Sequence, residues 1–287
     1  MNFTKVMIRN FKCINELSVE LAPLTIFVGP NGSGKTSILE AIALFAQSSG
    51  RTLSSSLREG YLVKFEELND VFYRRDPRNE LSLGFEVELS EEELKEIEQD
   101  LNAQIERLER SEELREAIGV ATEVMRRMCL ELEKCRRVSY EYRIRRDGRN
   151  VHTHILTMGR IKIECPMEKT ITEIEIEGFP FSVEIGEYAY FLPKGIALYF
   201  KGKGVLRLDK IMDVLRRRTG DVSSNRRIFY ISANRGHFPW EYKGQNMDEV
   251  GVRGEYTIEV ISKILAERDE DKIADLEFFC SLFGIRK

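Results

Sequence analysis

A chain of 287 residues, 42% of them hydrophobic, can bury a core for one large domain or two smaller ones. Its net charge of −4 supplies no global basic field of the kind that draws a protein to nucleic acid. The longest apolar runs fall far short of a bilayer span, Met1–Lys5 does not read as a secretory leader, and five cysteines without a CxxC pair read as free thiols. A cytoplasmic protein without membrane contact is expected, and a disulfide framework or zinc site is not.

In chain order, the first predicted strand is Val6-Met7-Ile8, followed by Asn10-Phe11-Lys12. Leu24-Thr25-Ile26-Phe27-Val28 is an apolar run of strand length. It leads into Gly29-Pro30-Asn31-Gly32-Ser33-Gly34-Lys35-Thr36, a complete phosphate-binding loop. Behind the loop, Ile38, Leu39, Ile42 and Phe45 recur at helical spacing. Glycines let a backbone close around phosphate without a Cβ in the way, and the helix N-terminus then turns its N–H groups toward the negative charge. In such a loop Lys35 reaches the β- and γ-phosphates and the Thr36 hydroxyl ligates Mg²⁺. The competing reading is a chance glycine-rich turn, which the flanking strand and helix disfavour.

Gln47-Ser48-Ser49-Gly50 reads as a polar break, and Phe65–Phe72 as a helix broken by Asp76-Pro77. Leu81–Leu89 alternates as a half-buried strand, and Ser90 with Glu93 forms a capping box. Leu94, Ile97, Leu101, Ile105 and Leu108 mark one helix; Leu114, Ile118, Ala121, Met125, Met128, Leu132 and Cys135 mark a second, with the junction near Arg110-Ser111. The pair forms an antiparallel hairpin, either a projecting arm or a layer on the protein's own sheet. From Val138 to Ile185 the period is two, with a hairpin turn at Asp147-Gly148, and helix returns over Val205–Arg218. Ile228–Ser232 is expected to join the main sheet.

His152 and His154 share one face of a strand and could share a metal; an exposed sheet face is the plainer account. His237 lies in an expected loop without an assigned role. Arg143, Arg145, Arg146 and Arg149, then Arg216-Arg217-Arg218, then Arg226-Arg227, form basic clusters that either contact phosphates or are solvated faces.

The order strand, Asn10-Phe11-Lys12, second strand, Gly29 to Ser37, then Leu39-Glu40-Ala41-Ile42 resembles the N-terminal lobe of ABC-type ATPases. Within them it is similar to the SMC, RecF and OLD-like branch, which includes many prokaryotic AAA-domain ATPases. Phe229–Gly236, with Gly254-Glu255-Tyr256 and the helical run Ile258–Leu265, resembles a further OLD-like segment. The resemblance implies an α/β fold, a P-loop NTPase (ABC-ATPase-like) lobe carrying a helical hairpin and a small antiparallel β-sheet insertion. The implied division is 1–89 for the first part of the lobe, 90–137 for the hairpin, 138–200 for the β insertion and 201–287 for the return to the lobe.

It also implies that Gly29, Asn31, Gly32, Ser33, Gly34, Lys35, Thr36 and Ser37 hold the triphosphate of ATP, that Thr36 binds Mg²⁺, and that Lys12 lies near the phosphates. Arg235 would be a γ-phosphate sensor or a structural ion pair. Such ATPases also need an acidic pair after an apolar strand (Walker B) and a serine-glycine signature from a second subunit. Neither is found: Ile273-Ala274-Asp275-Leu276-Glu277 sits in a helical pattern. A truncated, split or degenerate ATPase would each explain that.

The leading expectation is an ATPase acting as a nucleotide-gated clamp on a partner or nucleic acid. A homodimer or a partner chain carrying Walker B and signature motifs would complete its site. The alternative is an ATP-binding regulatory module without turnover, controlling an effector such as a nuclease. A kinase or GTPase fits less well, since no Asn-Lys-x-Asp guanine motif occurs.

Overall fold

The computed structural model describes residues 3–48, 51–60, 62–110, 115–147, 149–167, 171–185, 190–200, 203–219, 257–268 and 270–282. It divides into two units, 1–228 and 229–287. In the first, β1 (Phe3–Phe11), β2 (Ile14–Glu20), β3 (Leu81–Glu88), β4 (Arg137–Asp147), β5 (Arg149–Met158) and β6 (Ile161–Met167) form one sheet in the order β2-β1-β3-β4-β5-β6. Every neighbouring pair in it is antiparallel. A second antiparallel sheet has the order β10-β9-β8-β7, from β7 (Ile171–Ile176), β8 (Phe179–Glu184), β9 (Ala197–Phe200) and β10 (Lys203–Arg207). The antiparallel strands expected over 138–200 therefore divide between two sheets, and the first three extend the sheet that β1 begins. The described second unit consists of α6 (Thr257–Glu267) and α7 (Glu270–Leu282).

Period-two alternation decides which face of the first sheet is covered. Val138, Tyr140, Tyr142 and Ile144 of β4 are buried, and they register with Val87, Phe85, Leu83 and Leu81 of β3. Helix α1 (Lys35–Gln47), which follows the phosphate loop, packs through Ile38, Ala41, Leu44 and Phe45, while Leu39 faces solvent. Phe45 stands 5.4 Å from Phe85 and 5.4 Å from Phe191, ring to ring. The end of α1 is fixed by Gln47, expected in a polar break but buried. Its Oε1 accepts from the Leu62 and Val63 N–H groups, and its Nε2 donates to the Ser56 and Val63 carbonyls. All four hydrogen-bonding positions of that amide are used, so a buried polar side chain locks the site helix in place.

The helix expected over Val205–Arg218 begins only at Asp209, because Val205–Arg207 belongs to strand β10. The helix expected over Phe65–Phe72 is not continuous either, and that stretch contains only a short 3₁₀ turn, Leu68–Val71. Ser54-Ser55-Ser56-Leu57 lies in α2 (Leu53–Glu59), whose Thr52 side chain caps the Ser55 N–H.

The hairpin α3 (Glu91–Glu109) and α4 (Arg115–Cys135) lies along the sheets rather than projecting from them. Ser90 Oγ accepts from the Glu93 N–H and Glu93 Oε2 accepts from the Ser90 N–H, the expected capping box. Leu94, Ile97, Leu101, Ile105 and Leu108 of α3 are buried, as are Ala121, Val124, Met125, Met128 and Leu132 of α4. Gln104 of α3 accepts from the Arg207 N–H at 2.8 Å and donates to its carbonyl at 2.9 Å, pairing with the edge strand β10 as a neighbouring strand would. Arg127 of α4 reaches Glu177 in the β7–β8 turn, and Glu131 accepts from the Arg160 N–H in the β5–β6 turn. Leu114 and Ser111 lie outside the described residues.

The strand expected over Leu24–Val28 is not formed. Leu24, Ile26 and Val28 are 79%, 73% and 90% exposed, and no described strand pairs with them. A run apolar on both alternate faces suits a strand covered on both sides, but a ladder also needs a neighbour to pair with. The Ile228–Ser232 strand lies outside the described residues.

His152 and His154 share one face of β5, but that face is buried, which corrects the expectation of an exposed one. β5 is an interior strand between β4 and β6, so its inward row joins the core. Tyr142 OH lies 2.6 Å from His152 Nδ1, and Tyr140 OH 2.6 Å from His154 Nδ1. Burial holds the His152 imidazole below its ordinary value of 6.5. The folded protein therefore keeps it neutral where the unfolded chain takes up a proton. The linked stability is full above pH 6.5 and falls as the pH drops from 6.5 toward the lower folded value. We expect the wild type to lose about 2–4 °C of melting temperature per 1 kcal/mol of this linkage below that point. His152→Gln should flatten the dependence between pH 7 and 5.5, and equal slopes in the two proteins would contradict this assignment.

Candidate nucleotide-binding site

The phosphate loop stands at the N-terminus of α1. Gly32 has φ +80° and Gly34 φ +92°, left-handed conformations that glycine adopts without steric cost. Space is also tight: a Cβ at Gly29 would meet Ser33 Oγ at 3.0 Å, and one at Gly34 would meet Cys13 Sγ at 3.3 Å. Gly34 is the N-cap of α1, no side chain caps the helix, and no acidic residue stands in its first turn. The leading N–H groups of an α-helix lack intrahelical partners, so this end is a donor array with the positive pole of the helix dipole behind it.

Lys35 Nζ donates to the Gly29 carbonyl at 2.8 Å, the Pro30 carbonyl at 2.6 Å and Ser33 Oγ at 3.2 Å. The ammonium thus bridges the two ends of the loop. Asn31 and Thr36 are exposed, while Ser37 is buried with its Oγ 3.4 Å from Cys13 Sγ. A loop of backbone donors with one lysine and an accessible threonine hydroxyl fits a polyphosphate with a divalent cation.

Lys12 is brought to the same helix, at the turn between β1 and β2. Its ammonium contacts Glu40 Oε2 at 2.5 Å and stands 5.2 Å from the centre of the Phe65 ring. Glu40 and Cys13 are the neighbours that sequence reading passed over. The spacing of Thr36 and Glu40, four residues apart on a helix, was the available signal.

The remaining candidates separate. Arg216 pairs with Asp213, Arg217 with Glu96 at 2.8 Å, and Arg218 with buried Glu93, so this cluster is engaged within the fold. Arg143 is held by Glu141 at 2.6 Å, whereas Arg145 and Arg146 are exposed. Asp275 and Glu277 are exposed on α7, so they do not follow a strand. Arg226, Arg227, Arg235, His237 and the segments Phe229–Gly236 and Gly254–Tyr256 lie outside the described residues.

Residues 1–173 match the AAA ATPase domain family. The chain is similar to the OLD nuclease of Thermus scotoductus, 50% identical over 40 residues, which are 14% of this chain and 8% of that protein. It is also similar to the DNA replication and repair protein RecF of Erwinia tasmaniensis, 37% identical over 87 residues, 29% of this chain and 23% of that one. RecF of Citrobacter koseri is 38% identical over 76 residues, 26% of this chain and 20% of its own length. The chain thus spans less than a quarter of each of these curated relatives.

Proposed function

This chain belongs to the AAA ATPase domain family, and we propose that its phosphate loop binds ATP with Mg²⁺ in a nucleotide-gated clamp completed by a second lobe or subunit. The observation that carries this is the uncapped N-terminus of α1 behind Gly32 and Gly34, with Lys35 bridging the loop. Gly29, Asn31, Gly32, Ser33 and Gly34 wrap the phosphates with backbone donors. Lys35 leaves its carbonyl partners for the β- and γ-phosphate oxygens, and Ser37 steadies the first helical turn. Lys12 adds a second positive charge from the β1–β2 turn. Thr36 would hold Mg²⁺, which would supply charge neutralisation to the bound phosphates. Arg235 is proposed as a γ-phosphate sensor, with a structural ion pair as the alternative role.

The partner reading rests on the relatives, which are a nuclease and DNA repair proteins by name. With the α5 (Asp209–Thr219) arginines held in ion pairs, Arg145 and Arg146 are the described cluster residues left to meet nucleic acid. A second reading, ATP held without turnover to control an effector, is favoured by one observation. Among the described residues, no Asp-Glu or Glu-Glu pair directly follows a run of four apolar residues.

Thermal unfolding tests the binding claim. ATP–Mg²⁺ at a hundred times its Kd should add about 2.7 kcal/mol of stability to the wild type. The increment should fall to about 0.4 kcal/mol in Lys35→Ala, where the same ATP concentration only matches a Kd about a hundredfold higher. An equal increment in both proteins would remove the loop from the account. Phosphate release separates the two functions: it should be negligible for this chain alone and appear on adding a polypeptide with Walker B and signature motifs. Robust turnover by the chain alone would exclude the regulatory reading.

A further inference from the structure

Lys12 does not rest free beside the phosphate loop; it is already claimed by an anion. Its Nζ lies 2.5 Å from Glu40 Oε2, and the two side chains are only 31% and 18% exposed. Phe65 backs the ammonium with its ring, and Phe65 is itself set edge-on against buried Phe11. The backbone that presents Lys12 is fixed. Lys12 has φ +53° and Asn10 φ +54°, conformations that L-residues keep only where the surroundings hold them. Here the Lys12 N–H donates to the Val71 carbonyl at 2.8 Å, and Asn10 Nδ2 donates to the Glu80 carbonyl at 2.8 Å. The next residue, Cys13, touches Ser37 and lies against Gly34. With the turn held on the loop, the lysine side chain is the part that can move.

Glu40 occupies the other half of the geometry. It follows Thr36 by four residues, which puts the two on one face of α1, about one 5.4 Å turn apart. A pivot of the Lys12 side chain over that turn transfers its ammonium from the Glu40 carboxylate to a phosphate oxygen. A carboxylate one turn from the site also repels a polyphosphate directly.

We infer that Glu40 is a positioning residue that holds Lys12 off the phosphate loop, so that a polyphosphate must take Lys12 from Glu40 in order to bind. This rests on the reading of the loop as an ATP site and adds to it a built-in competitor that sets affinity. It makes affinity depend on phosphate count, because a longer chain of negative charge displaces Glu40 more effectively.

The test is equilibrium binding of ATP, ADP and AMP to the wild type, Glu40→Gln, Lys12→Ala and the double variant, each first shown to be folded by thermal unfolding without nucleotide. Glu40→Gln should bind ATP about fivefold tighter than the wild type, the scale of a single partly exposed charge pair. The gain should shrink for ADP, disappear for AMP, and be largely lost when Lys12 is alanine. Unchanged or weaker ATP binding by folded Glu40→Gln overturns the inference while leaving the ATP site standing. No ATP binding by the wild type overturns both. A second measurement needs no variant at Glu40. The ¹³C-dimethyl-lysine resonance of Lys12, identified by its loss in Lys12→Arg, should move when ATP saturates the wild type. A resonance that stays in place at saturation also overturns the inference.

Discussion

Replacing Arg218 with alanine should lower the unfolding free energy of the ATPase unit by about 3 kcal/mol, the lower end of the range for breaking a buried ion pair. The Arg218 Nε donates to Glu93 Oε1 at 2.8 Å, and its Nη2 donates to Glu93 Oε2. The two side chains are 5% and 11% exposed. Burial alone would raise the Glu93 carboxyl. The Arg218 hydrogen bond and the Ser90 N–H outweigh it, and the group is held below the ordinary carboxylate range. Removing Arg218 leaves that charge half-compensated at the N-terminus of α3, with Ser90 as its remaining partner. The lower end of the range is expected because the capping box survives. Denaturant unfolding checks the value, and Glu93→Gln combined with Arg218→Met should recover much of the loss. A loss below about 0.5 kcal/mol, the level of an ordinary surface substitution, would mean that the pair is not buried in solution.

Tyr140→Phe should cost about 2 kcal/mol without changing ATP affinity. Its hydroxyl donates to the Phe191 carbonyl at 2.8 Å and stands 2.6 Å from His154 Nδ1, with the side chain fully buried. Burial drives this phenol well above its ordinary range, so it remains a neutral donor. Because the hydroxyl's single proton goes to the Phe191 carbonyl, the hydroxyl can only accept from His154, through a hydrogen on Nδ1. Deleting one oxygen therefore deprives two buried groups of a partner. Unchanged stability in urea would show that water reaches this row.

Local signals were legible in the sequence because their physics is local. The glycine loop, the Ser90–Glu93 capping box and the alternation of Val138, Tyr140, Tyr142 and Ile144 each need only a few adjacent residues. Leu24–Val28 has strand composition, yet a strand exists only beside a partner, and composition does not supply one. The buried face of His152 and His154 was missed for the same reason: what covers a sheet is decided by distant segments. Lys12 and Glu40 are separated by 28 positions, so the contact that ties them exists only in the folded chain. Gln47 looked like a loop residue because polarity was read without the four backbone groups that it satisfies.

On the proposed reading, Gly29 to Thr36 grips a nucleoside triphosphate through Lys35. Calorimetric titration of the wild type and Lys35→Ala with ATP–Mg²⁺ tests it most directly. The wild type should bind saturably, one to one, and the variant should bind more weakly by on the order of a hundredfold, as the loss of charge-assisted bonds to phosphate requires. Equal affinities, or no heat of binding with the wild type at millimolar ATP, would contradict it.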